Sequence, residues 1–433
     1  MELKFKDLSL GVASAATQIE GGECESNWND WYHKGRIKDH SDPARATNHY
    51  ELWQQDAELM AEMQIKDYRL GIEWARICPK EGEVNEAAIA HYRDELFYLK
   101  KKGIRTLLTI HHFTNPMWFE RKGGFTKKEN LQHYLDFVAL VVEAFGDMVA
   151  EYITINEPNV YATSSYYSGD WPPGERSFKR AITVMSNMSY CHIKAYQLIH
   201  SLRKKQGFQD TKVSFAHHIR VFDPQNPKNP WHRICAGLLD RLFQSAITEA
   251  MLTGNFKWPL KKDKEIKAGE YCDFIAINYY TRSTVAGFGD GTKQAAPKND
   301  LGWEIYPEGL IRCVEMVYQV LKRPIYITEN GTCDNQDTFR CRYIYEHLKV
   351  ITESTLPISR YYHWCFCDNF EWIEGESARF GLVHVNYETQ ERIVKRSGEF
   401  YTKMIEQKGV SKELYEQYVE PQKYNENHRL LEN

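Results

Sequence analysis

The chain has 433 residues, 42% of them hydrophobic and 26% charged, with a formal net charge of −4 at pH 7. That composition fits a globular protein with a large core, and it leaves no basic footprint of the kind that nucleic acid requires. No run of about 18 apolar residues is present to span a membrane, so membrane and nucleic acid are both set aside as partners.

The N-terminal stretch MELKFKDLSLGVASA has no basic segment leading into a long apolar one, so no signal peptide is expected. Strand-like apolar runs then recur along the chain: LSLGVASA (8–15), YRLGIEW (68–74), IRTLLTIHH (104–112), YITINE (152–157), KVSFAHH (212–218), FIAINYY (274–280), PIYITEN (324–330) and RYYHWCF (360–366). Strands buried on both faces of a parallel sheet read in this near-continuous way. Helical periodicity separates them. Trp53, Ala57 and Met60 share one face; Leu131, Tyr134, Leu135, Val138, Val141, Val142 and Phe145 share another; Leu310, Cys313, Val317 and Leu321 share a third. Eight strand–helix alternations predict an α/β fold, a single (β/α)8 TIM barrel over residues 1–433, because eight parallel strands with crossover helices close on themselves. GLVHVNY (381–387) and ERIVKR (391–396) read as an appended hairpin. Irregular stretches near 19–47, 164–180, 221–230 and 284–304 are expected as loops at the catalytic rim.

In a barrel, function collects at the C-terminal ends of the strands. The fourth strand ends in Thr154-Ile155-Asn156-Glu157-Pro158 and the seventh in Ile327-Thr328-Glu329-Asn330-Gly331. A lone glutamate at such a position is usually a solvated rim charge or an ion-pair partner. Two of them, each beside an asparagine and three strands apart, suggest a cleft with paired carboxylates. Glycoside hydrolysis needs such a pair, one group to protonate the departing oxygen and the other to stabilise or attack an oxocarbenium-like carbon. A gap of about 5–5.5 Å gives retention and one of roughly 6.5–9.5 Å inversion, and sequence does not supply the distance. The 27 Tyr, 20 Phe and 11 Trp fit a large core and also suit the apolar faces of sugar rings.

The segments TINEPN (154–159) and ITENG (327–331) resemble the two catalytic signatures of glycoside hydrolase family 1, the β-glucosidase and β-galactosidase family. Gln18 within ASAATQIEGG, YRLGIEWARICP (68–79), IHHFTNP (110–116), FIAINYYTR (274–282), GWEIYPEGL (302–310) and HWCFCDNFEWIEGESARFGLVHV (363–385) stand in the family's order. The resemblance covers essentially the whole chain. It implies a retaining β-glycosidase acting on small β-glycosides or short oligosaccharides, glucosides first and galactosides or fucosides besides, through a covalent glycosyl-enzyme that an alcohol can also intercept. By the same resemblance Glu157 is the acid/base, Glu329 the nucleophile, and Arg69, Tyr280 and Asn156 complete the catalytic set. Arg69 against Glu329 would lower that carboxyl's pKa and keep it ionised, and Tyr280 would donate to it. Glu157 has no such cation implied, and the negative Glu329 would raise its pKa. Gln18, His112, Asn156 and Glu371 resemble the polar ring around the sugar, with Asn156 facing the 2-hydroxyl and Glu371 bridging two hydroxyls. Trp372 adds an indole N–H and Trp364 a stacking floor, and Asn278, Trp303 and Phe380 join the substrate-binding set.

Relatives that cleave phosphorylated sugars carry Ser at position 371, with Lys and Tyr seven and nine residues later. Here those positions are Glu371, Ala378 and Phe380, so a free sugar is expected. Phe113 and Asn159 stand where many relatives carry Trp, and Cys365 and Cys367 where residues are usually small or polar; these departures bear on the aglycone side. The ten Cys lie scattered, several in apolar segments (Cys272, Cys313, Cys365), and no spacing completes a zinc set, which predicts reduced thiols and a cytoplasmic enzyme with no metal and no cofactor. Two rivals stand beside this reading. One is a metal-dependent barrel hydrolase using His111-His112 and His217-His218, although adjacent strand residues face opposite ways. The other is a non-catalytic sugar-binding barrel.

Overall fold

A computed structural model describes residues 2–424; the expected domain limits at 1 and 425–433 lie outside the described residues. Eight parallel strands close into a barrel. They are β1 (Ser9–Ala13), β2 (Asp67–Gly71), β3 (Arg105–His111), β4 (Glu151–Asn156), β5 (Lys212–His218), β6 (Ile275–Asn278), β7 (Ile325–Asn330) and β8 (Ile358–Trp364). Each neighbour in this series pairs with the next, and β8 returns to β1 with Trp364 opposite Ala13. All eight expected strands are present, most of them shortened or shifted by a residue or more at their ends, and the expected hairpin forms between Val383–Val385 and Arg392–Val394.

The helices pack outside as their apolar stripes dictate. Along Leu131–Phe145 the buried residues are Leu131, Tyr134, Leu135, Phe137, Val138, Val141, Val142 and Phe145, a face continuous enough to cover β3 and β4. Tyr134 reaches past this apolar layer and donates its hydroxyl to the Thr154 carbonyl at 2.7 Å, fixing the helix to the strand that leads into Glu157. The barrel and its helices share one apolar core that runs from Leu3 to Val419.

Not every rim segment is irregular. Asn27–His33 is helical, capped by Ser26. Val221–Pro224, Arg282–Val285 and Asp290–Gly291 form a separate three-stranded sheet beyond the ends of β5 and β6. These strands are two to four residues long and mix polar with apolar residues, so neither length nor alternation marks them in the sequence.

The opposite, N-terminal end of the barrel is closed by charge. Arg360 forms a bidentate pair with Glu151, its guanidinium lies 4.3 Å from the centre of the Tyr326 ring, and Asp67 beside it accepts from Arg105 at 2.7 Å. Arg360, Glu151 and Asp67 are all buried. Removing one member of such a pair strands a desolvated charge, which costs more than removing both. Arg360→Met should therefore destabilise the protein by about 3–5 kcal/mol, and Arg360→Met with Glu151→Met by clearly less. Urea denaturation followed by tryptophan fluorescence reads both, and equal losses would contradict this account.

Candidate active site

At the C-terminal end of the strands a cavity of about 250 Å³ opens, and both Glu157 and Glu329 line it. Glu157 comes directly after the last residue of β4 and sits in left-handed backbone (φ 42°, ψ 59°) before Pro158 starts a short helix, Pro158–Thr163. Such a conformation is costly for a residue with a side chain and persists where surrounding packing imposes it. Phe113 and Trp372, which also line the cavity, share the same unusual backbone region (φ 67° and 49°). Glu329 lies within β7, opposite Asn278 of β6.

The two carboxyls have different surroundings. Glu329 accepts from the Arg69 guanidinium through Oε1 and from the Tyr280 hydroxyl through Oε2. Glu157 accepts from Asn278 Nδ2 at 2.8 Å, and its Oε1 lies 3.3 Å from His218 Nδ1. Burial and the adjacent Arg220 hold the His218 imidazole well below its ordinary pKa, so this neighbour is neutral. Behind the carboxyls the frame is continuous: Arg69 also donates to Asn156 Oδ1 at 2.6 Å and to Thr109 Oγ1 at 3.0 Å. Asn278 donates to the same Asn156 oxygen at 3.0 Å and accepts from Thr328 at 2.7 Å.

The electrostatics depart from the sequence expectation. Burial raises Glu329 to about 7, outweighing Arg69 and Tyr280, which pull it down, while Glu157 pushes it further up. Burial is also the first cause of the rise of Glu157 to about 7. Nor is Glu157 without a cation, because Arg69 and Arg220 both lower it from that level. The resemblance supplies Arg69 beside Glu329 but not Arg220 near Glu157, and desolvation depends on how tightly the cavity walls close.

Of the residues the sequence singles out, His112, Asn156, Tyr280, Trp303, Trp364, Glu371, Trp372 and Phe380 line the cavity together with the two glutamates. Arg69, Asn278 and Gln18 stand behind its wall, with no solvent exposure. Gln18 Nε2 donates to the Phe370 carbonyl at 2.9 Å and to Glu371 Oε2 at 3.2 Å, while its Oε1 has no protein partner among the described residues. Asn156 Nδ2 lies 2.9 Å from His112 Nε2. Since the Asn156 oxygen already accepts from Arg69 and Asn278, Nδ2 is the donor here and His112 Nε2 the acceptor. Burial and Arg69 keep His112 neutral, so its proton sits on Nδ1, an atom with no protein partner among the described residues. Burial raises Glu371 to about 8, aided by both cleft glutamates and opposed by hydrogen bonds from Trp364 and Gln18.

His218, Arg220, Val160, Trp171 and Leu301 also line the cavity; the sequence reading carries His218 only in the metal-hydrolase rival and misses the other four. The His pairs do divide: His112 and His218 face the cavity, whereas His111 bonds Asn115 and His217 bonds Thr248. Strand alternation could have nominated His218 for the cavity, at the end of β5 next to the strand leading into Glu157. Among the described residues no three His, Cys, Asp or Glu side chains are grouped to hold a metal ion. Asn159, one of the departures, turns away from the cavity and donates to the His218 carbonyl at 2.8 Å.

The sequence model of glycosyl hydrolase family 1 matches residues 4–410. β-Glucosidase A of Thermotoga maritima is 31% identical, over 92% of this chain and 97% of its own. The β-galactosidase of Pyrococcus woesei is 28% identical, over 94% of this chain and 98% of its own. Among solved structures, the β-glycosidase from Pyrococcus horikoshii superimposes with a TM-score of 0.88 at 34% identity, covering 96% of this chain and 98% of that one. Barrel, paired carboxyls and near-complete match agree, and the chain belongs to glycosyl hydrolase family 1 as a retaining β-glycosidase.

Proposed function

We propose that the enzyme releases terminal, non-phosphorylated β-D-glycosyl residues by double displacement, with Glu329 as nucleophile and Glu157 as acid and then base. The observation that carries this assignment is the unequal treatment of two carboxyls on one cavity: a guanidinium and a phenol donate to Glu329, an amide and a neutral imidazole meet Glu157. The first arrangement favours an anion, the second tolerates a carboxylic acid. The Glu329 carboxylate attacks the anomeric carbon, the bond to the aglycone oxygen breaks, and Glu157 gives that oxygen its proton. Esterification removes the negative charge of Glu329, so Glu157 becomes the stronger acid and stays ionised. It then takes a proton from water as the water oxygen attacks the same carbon and Glu329 departs as carboxylate. An alcohol in place of water gives transglycosylation.

Glucosides are the first substrate, with galactosides and fucosides accepted; the β-glucosidase and β-galactosidase relatives support the first two. Glu371 suits two adjacent hydroxyls in either configuration, His112 Nδ1–H is a free donor, and Asn156 retains a second amide hydrogen for the 2-hydroxyl. Trp364, Trp303 and Phe380 supply flat apolar surface for the sugar and the aglycone attached to it. All ten cysteines are unpaired, which supports a reducing compartment, the cytoplasm.

Glu329→Gly should abolish turnover of aryl β-glucosides, and azide should restore it with formation of the α-glycosyl azide; full activity without azide would reject the assignment. Glu157→Ala should slow poor leaving groups far more than 4-nitrophenolate-class ones, because only the former need the proton. Equal losses would remove Glu157 from the acid role. Tyr280→Phe removes a hydrogen bond that holds the Glu329 carboxyl down, worth about 1.5–3 kcal/mol, so kcat/KM should fall about 10- to 150-fold. Glu329 must be ionised to attack, so its activity is lost as pH falls. The acidic limb of the kcat/KM profile should therefore move to higher pH in this variant, and an unmoved limb would contradict the contact.

A further inference from the structure

The imidazole at the end of β5 meets Glu157, and its neighbours settle the direction of its hydrogen bonds. Arg220 Nε and Nη2 lie 3.3 and 3.0 Å from His218 Nε2. A guanidinium can only donate, so Nε2 is the acceptor and the imidazole proton sits on Nδ1. Nδ1 lies 3.3 Å from Glu157 Oε1 and donates to it. Asn278 Nδ2 donates to that same oxygen at 2.8 Å. Oε1 thus holds two donors, while no protein group among the described residues reaches Oε2. When Glu157 is a carboxylic acid its proton therefore rests on Oε2, the oxygen left to the cavity that the residue lines.

Arg220 is itself held from several directions. Its backbone N–H donates to Gln244 Oε1 at 3.0 Å, and its carbonyl accepts from Gln244 Nε2 at 2.8 Å. Its Nη1 reaches Ser283 Oγ and Asp290 Oδ2, both at 3.3 Å, on two strands of the small rim sheet. A second, mainly apolar cavity lies on its other side, with the Phe243 ring centre 5.2 Å from the guanidinium. The imidazole has little latitude either. Tyr280 lies nearly parallel to it at 6.0 Å, and Phe243 meets it edge-on at 5.8 Å.

An imidazole ordinarily binds a proton about two pKa units more tightly than a carboxyl. Placed beside an acid it would take the acid's proton, and Glu157 would have none to deliver. Arg220 prevents this in two ways. Its N–H groups occupy the Nε2 lone pair, where a second proton would have to go, and its charge opposes another cation beside it. The remaining titratable groups at His218 are Glu157, after β4, and Tyr280, after β6. One layer out, Asp290 pairs with Arg220 and Arg69 with Glu329, while His217 turns away to Thr248.

We propose that Arg220 is a positioning residue for the acid step: it locks His218 as a neutral Nδ1–H donor and so keeps the acid's proton on Glu157 Oε2. This rests on the reading of Glu157 as acid and then base. The Oε2 proton passes to the aglycone oxygen as that oxygen's bond to the anomeric carbon breaks, and Oε1 keeps both donors. In the second half Oε2 takes a proton from the attacking water. His218 neither gains nor loses one.

The test compares kcat/KM for methyl β-glucoside, whose leaving group needs the proton, with that for 2,4-dinitrophenyl β-glucoside, whose leaving group does not. In Arg220→Met the proton is free to move to His218, so the methyl glucoside should lose up to about 100-fold, the ordinary preference for imidazole over carboxyl. The dinitrophenyl glucoside should lose far less. Adding His218→Asn removes the competing imidazole, so Arg220→Met/His218→Asn should recover most of the methyl glucoside rate. No loss, equal losses on both substrates in a variant with native circular dichroism, or no recovery in the double variant overturns the proposal. Should Arg220→Met not fold, the tautomer in the unaltered enzyme decides. Nitrogen-15 spectra of histidine-labelled protein, with His218 assigned by its loss in His218→Asn, should show the proton on Nδ1 throughout the active pH range. A proton on Nε2 overturns the proposal. Failure of the catalytic reading looks different: Glu157→Ala would then slow both substrates alike, whereas failure of the Arg220 role alone leaves Glu157→Ala selective for the poor leaving group.

Discussion

One buried guanidinium organises the centre of this barrel. Arg69 has no solvent exposure, and its three nitrogens reach Thr109 on β3, Asn156 on β4 and Glu329 on β7. A cation removed from water at this depth is tolerable only with full partners, so these three strand ends are held in one arrangement. Asn156 then passes the constraint to Asn278, which donates to Glu157. The two carboxyls therefore do not hang from flexible loops. They are tied to one another through the strands, and their spacing is a property of barrel closure rather than of any single side chain.

That rigidity also accounts for the backbone at the mouth. Glu157, Phe113 and Trp372 lie in the left-handed region, a departure costing about 1–3 kcal/mol each. Glu157 and Phe113 follow the ends of barrel strands and Trp372 opens a short 3-10 helix, Trp372–Glu374, and the aromatic pair is packed tightly: Phe113 meets Trp372 at 5.2 Å and Trp171 at 4.8 Å. The far end of the barrel is organised differently, by the buried ion pairs of Arg360, Glu151 and Asp67. Charge at one end serves closure and charge at the other faces the cleft, the division expected of this architecture.

The barrel is legible in the sequence because burial on both faces forces each strand into an apolar run, and a run of that kind survives as pattern. The candidate site is legible where a motif sits on such a strand end, as Glu157 and Glu329 do. The features that stay concealed depend on closure in three dimensions. The sheet joining Val221–Pro224 to Arg282–Val285 has strands of four residues of mixed character, and its partners are about 60 residues apart, so no local signal marks it. Arg220 gains its place between two cavities from that sheet. The expectation of a lowered Glu329 pKa fails for the same reason: the adjacency of Arg69 comes with a motif, whereas the desolvation that outweighs it comes from how tightly the walls pack.

Desolvation leaves the cleft with a shortage of positive charge. Glu157, Glu329 and Glu371 are buried together, Arg69 and Arg220 are the guanidiniums that act on Glu157, and His112 and His218 are neutral. Three carboxyls face two cations, one of which, Arg220, also pairs with Asp290 at 3.3 Å, so at least one carboxyl is driven to keep its proton. In the free enzyme burial raises all three carboxyls, Glu371 to about 8 and Glu157 and Glu329 to about 7. On the proposed reading a bound sugar biases where the proton rests. Hydroxyls donating to Glu371 would stabilise its anion, as the Trp364 and Gln18 donors already do in part, and a second settled anion beside Glu157 raises the proton affinity of Glu157 in turn. Glu329 keeps its Arg69 and Tyr280 donors throughout. The substrate would thus place the proton on the acid that must deliver it, and the three carboxyls form one coupled titration rather than a pair with a bystander.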